Sequence, residues 1–165
     1  MTQSEKVLQT DESMPPVIQR YGCNFRACLG IAETYTRKLL TPEQILYAAV
    51  MAFSADYKQE RVMAPDCTVR WPAHIINWGL DLLGFGSLLR AYQIGSQEGQ
   101  DQRWWSIGNH DHTITATILK GKTVNGNLHF REGDAYGKLK WDPSPDVKIA
   151  HEIMQIFYRI KEIGG

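Results

Sequence analysis

The sequence predicts an α+β fold in which a central N-terminal helix packs on an antiparallel sheet, and three observations carry that prediction. From about Cys23 to Leu83 apolar residues recur at helical spacing. From Leu88 onward they fall in shorter, β-favouring runs separated by turn residues. Between two of those runs stands Asn125-Gly126, the signature of a tight hairpin, which makes antiparallel pairing the natural arrangement. Helices first and sheet second is an α+β order.

Taken along the chain, residues 1–16 read as a flexible N-terminal arm, because apolar side chains are sparse and Pro15-Pro16 bars a helix from crossing the junction. Residues 17–165 read as a single domain: 165 residues at 43% hydrophobic and 22% charged fill one core and are too few for two comfortable ones. The first helix is expected from Cys23 to Tyr35. Phe25, Cys28, Leu29 and Ala32 form one apolar stripe, Cys23, Ala27, Gly30 and Thr34 form a small-residue face, and Arg26, Glu33 and Arg37 leave a narrow polar strip. A helix apolar on nearly every side is buried between two layers. Thr41-Pro42-Glu43-Gln44 supplies an N-cap, a proline at the first helical position and a capping-box glutamine for a second helix carrying Ile45, Ala48, Ala49 and Phe53. A third helix starts at Trp71-Pro72 and is ended by the glycines at 84 and 86, after an irregular loop from Ala64 to Arg70. Strands are expected at Leu89–Ile94, Trp104–Ile107, Thr113–Leu119, Leu128–Arg131 and Lys138–Trp141, with a break at Asp134–Gly137. The isoleucines at 149, 153, 156 and 160 repeat at helical spacing and predict a final helix led in by Asp142-Pro-Ser-Pro-Asp146.

Composition excludes several classes of function. Eighteen basic and eighteen acidic residues cancel, which removes any global electrostatic case for nucleic acid or an anionic membrane as partner. The opening thirteen residues lack the apolar core of a secretory signal and no later stretch is long and apolar enough to span a bilayer, so a cytoplasmic protein is expected. Three cysteines at irregular spacing form neither a disulfide framework nor a zinc ribbon. On a helix Cys23 and Cys28 stand roughly 140° apart around the axis and share no face. Reduced thiols follow, with no cofactor and no metal expected.

One thiol stands out. In Gln19-Arg-Tyr-Gly-Cys23 the cysteine opens an apolar helix, where the positive end of the peptide dipoles favours the thiolate, and Gly22 permits close approach. Thiol hydrolysis needs a nucleophile, a base, a group that orients the base and donors for the oxyanion. The candidates are Cys23 as nucleophile, His112 at the entrance to the Thr113–Leu119 strand as base, Asp142 as the orienting carboxylate and Gln19 as an oxyanion donor beside the Cys23 backbone N–H. Asn24, Trp104 and Trp105 are the candidate substrate-lining residues. Plainer readings stand beside these: Cys28 as core, Cys67 as structural, Asp142-Pro143 as a helix start, His74 and His151 as solvated helix residues, and His129 as a strand residue beside the hairpin. His110 is the alternative base, and His110 with His112 is also the alternative metal pair, although no third ligand has supporting spacing.

The order of Gln19, a helix led by Cys23, His112 ahead of a strand and Asp142-Pro143 after a later strand resembles the papain-like cysteine peptidases, in particular the branch of bacteriocin-leader-processing peptidases. That resemblance spans most of the chain and implies a papain-like architecture and a Cys-His-Asp hydrolase acting on a peptide or protein substrate. The chain departs from the pattern in placing Asn24 and Phe25 after the cysteine, in setting Gln19 closer to it, and in a longer interval from His112 to Asp142. Tyr21-Gly-Cys-Asn-Phe25, Leu40-Thr-Pro-Glu-Gln-Ile45 and Asp66-Cys-Thr-Val-Arg-Trp-Pro72 are also similar to an uncharacterised family found on phages and bacterial plasmids. The alternative expectation keeps the fold without turnover, as a binding protein that captures a host protein or small ligand. Neither expectation fixes an oligomeric state.

Overall fold

The computed structural model describes residues 6–98 and 113–163. Its elements run α1 (Pro16–Tyr21), α2 (Cys23–Thr36), α3 (Pro42–Ser54), β1 (Asp56–Tyr57), β2 (Glu60–Arg61), α4 (Pro72–Leu82), β3 (Leu89–Glu98), β4 (Ala116–Thr123), β5 (Leu128–Gly133), β6 (Leu139–Trp141) and β7 (Ile149–Glu162). The last five of these strands form one sheet, β3-β7-β4-β5-β6, in which every neighbouring pair is antiparallel. The α+β class expected from the sequence is therefore present. Among the described residues no helix is long and apolar enough to cross a membrane.

The central helix lies where its wheel predicts, with β4 and β5 on one side and α4 on the other. Small residues set both distances. A Cβ on Gly30 would stand 3.0 Å from both the Glu132 carboxylate and the Trp141 ring, and one on Gly79 of α4 would stand 2.8 Å from the Ala32 methyl. The expected polar strip is not solvated. Arg26 and Glu33 are fully buried and pair at 3.1 Å. Arg26 also donates to the Val7 carbonyl (2.7 Å), and Glu33 accepts the Leu40 N–H (3.0 Å). Arg37 caps the helix in the left-handed region.

That burial changes the account of the N-terminal arm. Residues 6–14, expected to be mobile for want of apolar side chains, dock through polar ones. The buried Lys6 ammonium donates to Glu132 (2.7 Å), the Gly30 carbonyl (2.9 Å) and the Thr34 hydroxyl (2.6 Å), and the Gln9 N–H donates to the Pro143 carbonyl (3.0 Å). Lys6 and Arg26 also stand 5.0 and 4.9 Å from the ring centroid of the buried Trp141. The short helix α1, starting at Pro16, was not foreseen in this region.

The second and third expected helices form as α3 and α4. Thr41 and Gln44 complete the capping box of α3. The expected final helix does not form: residues 149–162 are β7, which lies between β3 and β4 and satisfies its backbone on both edges. Its isoleucines take helix-like spacing because Met154 pairs with Lys120 and Glu152 with Gly121, leaving Ile153 as a bulge that breaks the alternation of two. Ile156, Tyr158 and Ile160 stand beside Ile118, Ala116 and Ala91 as cross-strand partners, and β-branched residues favour the extended state. β3, β4, β5 and β6 match their expected strands, while the expected strand Trp104–Ile107 lies outside the described residues.

The Lys6–Glu132 pair is 2% and 1% exposed, so removing one partner strands a buried charge. Lys6→Ala is expected to lower the unfolding free energy by about 3–5 kcal/mol in urea titrations. The double change Lys6→Met with Glu132→Leu should recover most of that loss.

Candidate active site

Cys23 is the first residue of α2, and the local sequence explains how it gets there. Gly22 closes α1 by donating its N–H to the Ile18 carbonyl (2.8 Å) and serves at once as the N-cap of α2. A Cβ at Gly22 would lie 2.6 Å from that carbonyl oxygen and 2.8 Å from the Ile18 side chain, so only glycine lets the two helices meet this closely. Gly22 offers no side-chain cap, which leaves the first N–H groups of α2 available near the thiol. Cys23 itself is 8% exposed.

The imidazole beside this thiol is His129. It is the second residue of β5, entered from a hairpin closed by Gly126 N–H to the Thr123 carbonyl (2.9 Å) with Gly126 at φ 86°. The His129 Nε2 bonds Asp142 Oδ1 at 2.7 Å in a buried setting, which leaves Nδ1 for the thiol. Asp142 follows the last residue of β6, and its Oδ1 also accepts the Ser144 N–H (2.9 Å). The expected helix start at Asp142-Pro143 is thus a turn held by the carboxylate, with Pro143 tied in turn to Gln9.

Charge confirms how closely the groups are coupled. Burial of the His129 ring opposes its charged form, but hydrogen bonding to Asp142 and to Cys23, with the negative charge both can carry, outweighs it and raises the pKa from 6.5 to about 9. The other two thiols are disfavoured as nucleophiles. Burial first, then the charges of Asp66 and Cys23, pushes Cys67 up to about 11, and full burial raises Cys28 further.

Compared with known proteins, the chain matches no family model, no curated protein and no solved structure.

Of the residues singled out from the sequence, Cys23, Asp142 and Gln19 are brought to one place. Gln19 lines the same cleft as Cys23 and His129; one of its two amide N–H groups is held by the Met14 carbonyl (2.6 Å). Asn24 is buried, accepts a weak bond from the Cys28 thiol (3.6 Å) and borders a second cleft. His112, His110, Trp104 and Trp105 lie outside the described residues. Among the described residues the imidazole that Asp142 meets is that of His129, a partner the sequence reading did not assign to it. The signal in the sequence was that one short hairpin, β5 to β6, separates His129 from Asp142. His151 is exposed on β7, and His74 is half-buried against Tyr57, their ring centroids 4.4 Å apart.

Two clefts meet at Cys23. The smaller, about 480 Å³, is bordered by His129, Gln19, Asn125 and Ser144; the larger, about 1080 Å³, lies across the thiol and is bordered by Phe130, Ile156 and Arg70.

Because the His129 pKa is raised in the folded state, its contribution to stability is complete below pH 6.5 and is lost as pH rises through about 9. Unfolding free energies from urea titrations at pH 6 to 9.5 should fall across that window by an amount on the order of 3 kcal/mol, and His129→Gln should flatten the decline.

Proposed function

We propose that the protein is a thiol hydrolase of papain-like architecture that cleaves a peptide or related amide through an acyl-enzyme on Cys23. One observation carries the reading: a helix-opening thiol, an imidazole whose pKa it helps to raise, and a buried carboxylate on the far nitrogen of that imidazole converge where two clefts meet. With His129 as base the chain order is Cys, His, Asp, and the interval to Asp142 loses the extra hairpin that set it apart from the papain-like pattern.

The chemistry follows from the positions. An imidazolium at His129 favours the thiolate at Cys23. The sulfur attacks the substrate carbonyl carbon and the C–O electron pair moves onto oxygen. That oxyanion is met by the Cys23 N–H and by the Gln19 amide. On collapse the C–N bond breaks and the His129 proton passes to the departing amine, leaving a thioester. Water then attacks, gives its proton to His129 and releases the acid as the C–S bond breaks. Asp142 holds the ring in the tautomer this cycle needs, and the Ser144 N–H holds Asp142.

Iodoacetamide is expected to alkylate Cys23 well ahead of Cys28 and Cys67, as read by mass spectrometry of the folded protein. His129→Ala should slow that alkylation at pH 7 by about 10²–10⁴-fold and Asp142→Asn by less. Equal alkylation of the three thiols would remove the activated nucleophile. A loss seen with His112→Ala but not with His129→Ala would reassign the base. Full biological effect in Cys23→Ala would leave the fold as a binding protein without turnover.

A further inference from the structure

The two clefts beside Cys23 are not equivalent, because the proton that leaves His129 must reach the departing amine. The amine therefore lies on the side His129 borders, which is the smaller cleft. The acyl portion, still bonded to sulfur after the amine has gone, extends across the thiol into the larger one, which His129 does not border.

We infer that the acyl portion of the substrate is a peptide segment carrying an acidic residue among apolar ones, held in the larger cleft. This rests on the thiol hydrolase reading above. The cleft has an apolar lining of Leu128, Phe130 and Ile156, yet three cations stand around it, Arg20, Arg70 and Lys120. Against them, among the described residues, the cleft has one acidic residue, Asp66, whose carboxylate accepts the Thr68 N–H (3.0 Å) and offsets part of the Arg70 charge. Among the described residues none of the three cations is within 4.0 Å of a carboxylate. Two of them rest on aromatic faces instead, Arg20 at 5.9 Å from Tyr21 and Lys120 at 5.9 Å from Phe130. Arg20 also borders the smaller cleft, whereas Arg70 and Lys120 border the larger one and not the smaller. Apolar walls lower the local dielectric, so a carboxylate placed among them is attracted more strongly and a substrate ammonium is repelled more strongly than at an open surface.

Peptidyl acyloxymethyl ketones that differ only in carrying Glu, Gln or Lys at the second to fourth residues before the reactive carbon test this on the full chain. At one of those positions the Glu probe should label Cys23 roughly tenfold faster than the Lys probe, and the gap should narrow in high salt. Arg70→Glu combined with Lys120→Glu should reverse the order, each rate being taken as a ratio to iodoacetamide alkylation of Cys23 in the same variant. Equal rates for Glu and Lys at every position, or a preference that survives charge reversal, would overturn the inference. If His129-dependent alkylation persists in that case, the hydrolase reading stands and only the acyl-side assignment fails. If that alkylation is itself absent, it is the hydrolase reading that fails.

Discussion

Arg26 lies inside α2 with none of its surface exposed, and much of the architecture answers the need to satisfy it. A guanidinium in that position must be paired and hydrogen-bonded from within, since an uncompensated buried charge costs several kcal/mol. Glu33, two turns further along the same face of the helix, supplies the charge, and the carbonyl of Val7 supplies the acceptor. That requirement recruits the N-terminal segment, where Lys6 repeats the arrangement with Glu132 of the sheet. Between the two cations stands Trp141, and the residue after it is Asp142. The carboxylate that orients His129 is thus attached to the same buried charge system that holds the helix bearing Cys23.

The site is accordingly built from parts that are distant in sequence but rigidly connected. Gly22 fixes the entry of α2, the Gly126 turn fixes the start of β5, and Asp142 is locked by the Ser144 N–H and, through Pro143, by Gln9. Each group of the proposed site is therefore placed by backbone geometry as well as by its own contacts, which is what a near-attack arrangement demands. The three thiols also separate by environment: Cys28 is sealed in the core, Cys67 is driven toward the neutral thiol by burial and neighbouring charge, and Cys23 is hydrogen-bonded to an imidazole.

Features encoded by neighbours along the chain were legible in the sequence. The capping box at Thr41 and Gln44, the hairpin at Asn125-Gly126 and the thiol opening a buried helix depend on short spacings, and each is present. What escaped depended on tertiary partners. Arg26 and Glu33 read as a solvated strip because nothing in α2 announces Lys6, Val7 or Leu40 as their surroundings. The N-terminal segment read as an arm because polar docking leaves no hydrophobic pattern. The last strand read as a helix because a bulge at Ile153 disguises its period. His129 read as an ordinary strand residue because its role exists only once β6 has brought Asp142 alongside.

The strand order carries a consequence for how such a molecule comes into being. β3 and β4 are not neighbours; β7, later in the chain than both, is threaded between them and bonds to each. The β4-β5-β6 meander, with His129 and Asp142 on it, needs only local closures and can form early, whereas joining β3 to it requires ordering a long intervening segment. Until that last insertion both β3 and β4 present open edges toward the same gap, and the helical layer that carries Cys23 rests on an incomplete platform. Because α2 rests on β4 and β5 of the meander while α4 rests on β3, insertion of β7 is the step that brings the two parts of the helical layer onto one continuous platform.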